Sequence, residues 1–336
     1  MRSLPSVPVP LASAVAAAVL VLSGCGSTDA ATDAATEAGG GGAEETRVVD
    51  TDQGEVTVPV DPRRVVVLNY ALAGYLYDLD VPVAATIPED ADGEGVFSEF
   101  WAEEAEEDGT EFLPWSTDGF DMEAVLGAEP DLIIAGGIGF PLVQAVDAYD
   151  RLGEIAPTVI VSGSHTTWQD QFGFLAEEVF DRGERYDALV AAFDERVEEV
   201  REAVTPSPGP VTFLVMTADQ TPYALIEGTG LPRVFERLGF ETDPLFAEND
   251  VEPYTAGGDM FELSTEQVGQ MVTAPTVFVL GFNGDTVDVA TLAESPVYES
   301  LPAFEEGHAY DLPHWVLRAD HDEELALLDI VEERFS

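Results

Sequence analysis

The stretch DRGERYDALVAAFDERVEEVREAV, residues 181–204, decides how this chain is read. Its Tyr186, Leu189, Val190, Phe193, Val197 and Val200 recur at spacings of three and four, so they line one face of a single long helix. TPSPGP at 205–210 stops that helix, because proline removes a backbone donor and clashes with the preceding turn. On either side, short apolar runs alternate with helical patterns. They fall at 65–68, 83–86, 132–135 and 158–161 before the helix, and at 211–216, 276–280 and 309–312 after it. Continuous apolar runs of this length suit parallel strands buried on both faces, and their alternation with helices predicts an α/β architecture. The expectation is therefore two α/β lobes, residues 47–180 and 205–336, joined stiffly by the helix at 181–204, with a ligand cleft between them.

A weak internal repeat links the two halves. FDMEAVLGAEPDLIIAGG (120–137) and LSTEQVGQMVTAPTVFVLGF (263–282) share a plan of capping residue, short helix, proline and apolar strand. Asp121 and Ser264 are the caps, and Ser264 with Gln267 forms a capping box, with Leu263 and Val268 as its hydrophobic staple. Glu123 and Glu266 thus take the same second helical position in each half. Either glutamate alone is explained by the helix dipole, which favours an acid in the first turn by about 0.3–1 kcal/mol.

Upstream of the first lobe lies AVLVLSGCGSTDA (18–30), which contains Cys25, the one cysteine among 336 residues. The apolar run at 11–22 is too short to span a bilayer, which takes about 20 such residues, and reads as the core of a signal peptide covering 1–24. Leu22-Ser23-Gly24-Cys25 resembles the lipobox of bacterial lipoprotein precursors, which makes Cys25 a lipid anchor and the chain extracytoplasmic at the membrane surface. Residues 25–46 read as a flexible linker, since after Cys25 they are Ala, Gly, Thr, Ser and acid with no aromatic, too poor in apolar side chains to offset the entropy of ordering. No internal disulfide is available, so the fold rests on its hydrophobic core.

Charge excludes several classes. There are 66 acidic residues against 13 basic ones, a formal net charge of −53, and every basic residue is an arginine. Phosphate recognition needs clustered Lys or Arg, so nucleic acid is disfavoured as a partner. Without lysine there is no Walker A lysine and no lysine Schiff base. G-x-S-x-G, H-E-x-x-H and dinucleotide fingerprints are absent, and acid pairs are too numerous for any two to mark a glycoside hydrolase, which is the enzymatic alternative.

The motifs in order resemble the solute-binding proteins of ABC importers for ferric siderophores, haem and cobalamin, those with a rigid helix between lobes. The resemblance rests on PRRVVVLNYALAGYLYDLDVPVAAT (62–86), MEAVLGAEPDLIIAGG (122–137), YDRLGEIAPTVIV (149–161), the joining helix, STEQVGQMVTAPTVFVL (264–280) and SPVYESLPAFEEGHAYDLP (295–313). It implies Rossmann-like sheets in both lobes and a monomeric, non-catalytic binder. It further implies that Glu123 and Glu266 dock on arginines of a membrane permease that works with an ATPase.

Ligand contacts are expected on loops that follow strand C-termini, where open α/β sheets present their crevices. Those loops offer Asn69, Tyr70, Trp115, Trp168 and Tyr223, then Arg233, Phe282, Trp315 and Arg318. Flat aromatic surfaces with a few polar atoms suit a bulky chelate. With only Arg233 and Arg318 available, a neutral or cationic ferric hydroxamate fits better than a triply anionic complex. Haem or cobalamin is the alternative within the same fold; Tyr70, Met216, His165 and His314 are conceivable haem ligands without a local motif. His165, His308, His314 and His321 lack zinc-site spacing. EDADGEGVFSEFW (89–101) begins like a calcium loop, but Trp101 stands where a bidentate glutamate is required, so it reads as a solvated loop. No metal or other cofactor is expected beyond lipid on Cys25.

Overall fold

The computed structural model describes residues 45–255, 257–284 and 286–336; the signal peptide, Cys25 and almost all of the linker lie outside the described residues. An antiparallel hairpin, β1 (Thr46–Thr51) and β2 (Gly54–Pro59), comes first. The first main sheet contains β3 (Val65–Val67), β4 (Val83–Thr86), β5 (Glu111–Phe112), β8 (Leu132–Gly136) and β9 (Thr158–Val161). Between β5 and β8 lies a small hairpin of β6 (Trp115–Ser116) and β7 (Gly119–Phe120). The order is β5-β4-β3-β8-β9, all parallel. The chain starts in the middle, winds outward to one edge, then returns and winds to the other. The loops after β3 and β8 consequently diverge and leave a crevice at the switch point.

The second sheet has β10 (Pro210–Met216), β11 (Pro222–Leu225), β12 (Glu241–Thr242), β13 (Met260–Glu262), β14 (Thr276–Gly281) and β15 (Ala309–Asp311). Its path is β13-β11-β10-β14-β15, and β12 pairs with the start of β10. β10, β14 and β15 are parallel, whereas β11 pairs antiparallel with both of its neighbours, β10 and β13. Two α/β lobes are thus present, as the alternating runs predict.

The joining helix spans Gly183–Ala203 and ends where Val204 turns extended. Phe193, Val197 and Val200 are buried, and Tyr186, Leu189 and Val190 pack at the margin of the core. This face is a wall common to both lobes: one continuous apolar cluster runs from Val67 and Ile134 through Phe172 and Phe193 to Phe213 and Phe278. Alternate strand residues point the other way into separate outer clusters, Val66 and Ile133 in the first lobe, Leu214 and Val279 in the second. Arginines tie the outside of the helix to its neighbours. Arg185 reaches Asp80 at 2.5 Å, Arg237 reaches Asp194 at 2.6 Å, and Arg196 meets Asp329 at 2.7 Å and Glu332 at 2.5 Å.

Asp329 and Glu332 belong to the C-terminal helix, His321–Phe335, capped by Asp320 with a capping box to Glu323. Although it follows the second lobe in sequence, its start packs on the first-lobe helix Ala73–Asp78, where a Cβ on Gly74 would lie 1.8 Å from the Asp320 carboxylate. The segment expected as a loop at 314–318 is a 3-10 helix, His314–Arg318. Among the described residues no helix is long and apolar enough to cross a membrane.

Candidate functional site

A cavity of about 570 Å³ opens where loops from the C-terminal ends of strands in both sheets meet. After β3, the Asn69 side chain caps a one-turn helix by accepting from the Ala71 amide at 3.2 Å and donates to the Gly136 carbonyl at 2.6 Å. That second bond ties the loops after β3 and β8 across the switch point. It also places Tyr70 on the cavity wall, where its hydroxyl donates to the Val96 carbonyl at 2.9 Å. Burial, reinforced by Glu89 and Glu323, pushes the Tyr70 phenol well above its ordinary value.

The segment 89–101 after β4 is a loop with exposed acids, as its solvated reading expects, but it also forms much of the wall. Its aromatics explain why. Phe97 stacks on Phe112 with ring centroids 4.6 Å apart, Trp101 is buried against Tyr70 and Tyr77, and Phe100 meets Trp315 edge-on at 4.9 Å. Three apolar rings within five residues anchor a strand-end loop against the body while its acids stay in water. The close spacing of Phe97, Phe100 and Trp101 is the sequence signal for this anchoring. Asp90, Asp92 and Glu94 do not converge on a metal position; among the described residues the group with metal-holding geometry is Asp78, His321 and Asp322.

Contacts also cross from this first-lobe segment to the second lobe. Asn283, after β14, donates to Asp90 at 2.7 Å, and His314 Nε2 lies 3.6 Å from Glu89. Trp115 Nε1 donates to the Pro88 carbonyl at 2.8 Å and fixes the start of the segment. On the second-lobe side, Arg318 donates to both oxygens of Asp259, at 2.9 and 3.0 Å, and to the Tyr254 hydroxyl at 2.8 Å. Its guanidinium also sits 5.4 Å from the centre of the Phe282 ring. Burial acts to lower the arginine pKa, but the Asp259 charge and the two partners' hydrogen bonds outweigh it, so the group stays charged and already paired.

Six of the nine residues proposed from sequence line the cavity: Asn69, Tyr70, Trp115, Phe282, Trp315 and Arg318. The other three do not. Trp168 is core, edge-on to Phe193 at 5.0 Å, because it begins the helix Trp168–Gly173 that packs on the joining helix. Arg233 is exposed in a separate depression beside the joining helix, carried there by the helix Gly230–Arg237. Tyr223 lies on β11, its hydroxyl directed to Glu262 and its ring edge-on to Tyr254, outside the cavity lining. Sequence reasoning omits Phe97, Phe100, Phe140 and Tyr254 and the carboxylates around them. Glu123 and Glu266 occupy the first turns of Met122–Gly127 and Thr265–Met271, both exposed, behind the caps Asp121 and Ser264.

A family described as periplasmic binding protein matches residues 65–315. The chain is 28% identical over 296 residues to the ferric enterobactin-binding periplasmic protein FepB of Escherichia coli, covering 86% of this chain and 91% of that protein. It is 25% identical to the iron(3+)-hydroxamate-binding protein FhuD of Bacillus subtilis, with 88% and 86% covered. Among solved structures, holo-ViuP superposes with a TM-score of 0.72 at 22% identity, covering 86% of this chain and 95% of that one. Staphylococcus aureus SirA complexed with staphyloferrin B superposes with a TM-score of 0.68 at 18% identity, covering 87% and 99%.

Proposed function

Because the chain belongs to the periplasmic binding protein family, we propose that it is the extracytoplasmic solute-binding component of an ABC importer and captures a ferric siderophore in the cavity between its lobes. The observation that carries this reading is the cavity itself, about 570 Å³, walled by aromatic rings from both lobes and placed at the strand C-termini. Bulky chelates present flat, largely apolar surfaces, and Tyr70, Phe100, Phe282 and Trp315 answer them. The names of the relatives support the ligand class, since they include ferric enterobactin, an iron-hydroxamate and ferric citrate binders. Within that class we favour a hydroxamate complex, because the cavity's one arginine is engaged by Asp259 and leaves little to meet a triply anionic chelate.

In this reading Cys25 carries the lipid that holds the protein at the cell membrane. Glu123 and Glu266 are the contacts to the permease, and the ATPase acts from the far side. Two exposed, well-separated ion pairs are individually weak and would chiefly set orientation on the partner. No bond in the ligand is made or broken. Titration of tryptophan fluorescence with a ferric trihydroxamate tests the proposal, since Trp101, Trp115 and Trp315 line the cavity. Saturable quenching with the complex recovered unchanged is expected; no response to any ferric chelate, or chemical turnover of the complex, would refute it.

A further inference from the structure

The charge of the cavity wall deepens this reading, on which it rests. Glu89, Asp90, Glu94, Glu99, Asp320 and Glu323 line the cavity, against the single arginine Arg318. That arginine is not a free cation, because both oxygens of Asp259 and the Tyr254 hydroxyl already take its donors. Asp320 and Glu323 are buried and committed to the cap of the C-terminal helix, with Ser98 also donating to Glu323 at 2.9 Å. Asp90, Glu94 and Glu99 are exposed, and Glu89 is half-buried beside His314. All four come from one segment, 89–101, the same one that supplies Phe97, Phe100 and Trp101. Carboxylates set among aromatic faces attract a cation twice over, by charge and by ring quadrupole.

We infer that the cavity selects a ferric complex with net positive charge, namely a hydroxamate chelate bearing a pendant ammonium group, and that Glu94 and Glu99 are specificity-determining residues for that charge. Each carboxylate contributes little through water, but several of one sign around a partly enclosed cavity add, and dissolved salt weakens them together.

The test compares three ferric complexes on the purified protein by fluorescence titration: a linear trihydroxamate with a free terminal ammonium, the same chelator with that amine acetylated, and a tricatecholate. The ammonium-bearing complex is expected to bind about tenfold tighter than its acetylated twin, with the tricatecholate weakest. The gap between the twins should shrink towards unity in about 0.5 M salt and in a Glu94→Gln, Glu99→Gln variant. Equal affinity for the twins, tightest binding of the tricatecholate, or a gap that survives the double substitution would overturn the inference while leaving siderophore capture intact. Failure to bind any of the three complexes would overturn the proposed function itself.

Discussion

Gly95 stands where no other residue fits: a Cβ there would lie 2.1 Å from the Phe112 ring, whose face it covers. The ring belongs to β5 and does not move freely, so Gly95→Ala should lift the 89–101 segment from the body. We expect at least about tenfold weaker binding of a ferric chelate with a modest drop in thermal midpoint, read by titration and calorimetry. Trp315 poses a different question, since its contact with Phe100 at 4.9 Å joins the two lobes across the cavity. An aromatic pair of this kind contributes about 0.5–1.5 kcal/mol beyond buried area. Trp315→Ala should therefore weaken binding about threefold to tenfold, and Trp315→Phe should recover most of the loss. At this scale the sequence was a partial guide. Asn69, Tyr70 and Phe282 were legible because each directly follows a strand whose apolar run is unmistakable. Trp168 was not, because a tryptophan beginning a helix looks alike whether that helix faces a cavity or the core.

Among the elements, the joining helix was the most readable, because a 3.6-residue period survives in the sequence without knowledge of any partner. What it packs against was not readable. Phe193 is fully buried at the meeting of Trp168 and the core that both lobes share. Its removal opens a cavity in that shared wall, and Phe193→Ala should destabilise the protein by about 3–5 kcal/mol in denaturant unfolding. A loss below about 1 kcal/mol would mean that the lobes do not depend on the helix for their cohesion. The short antiparallel strands β11 and β13 escaped sequence reading for the complementary reason. Three or four residues carry too little pattern, and neighbouring strands supply the pairing that makes them strands.

For the whole molecule, the contact between the C-terminal helix and the first lobe concentrates buried acids. Burial, then Asp322 and Asp320, pushes the Asp78 carboxyl up to about 8, and burial moves Asp320 up to about 6. His321 is raised as well, the Asp322 hydrogen bond and Asp78 overcoming the effect of burial. An unfolded aspartate titrates near 3.9, so between about pH 4 and 8 the folded state holds a proton that the unfolded state has released. Stability must then fall as pH rises through that window, and raised His321 adds the same sign by losing its charge. The thermal midpoint should be higher at about pH 5.5 than at about pH 8, and Asp78→Asn should flatten the slope; a steeper or unchanged slope in that variant would contradict the assignment. The acids proposed to meet a permease are tested at the same scale. Glu123→Arg with Glu266→Arg should abolish uptake into cells while chelate affinity stays within about twofold, since both side chains lie on exposed first turns outside the cavity lining. The sequence by itself determined the α/β class, the long helix and the two matching capped helices, because periodicity and capping are local properties of a chain. Only the tertiary structure decided which aromatics face the cavity, that the acidic segment 89–101 is its wall, and that Arg318 is already paired. Those outcomes depend on side chains far apart in sequence, such as Arg318 with Asp259 and Phe100 with Trp315, whose meeting no local pattern encodes.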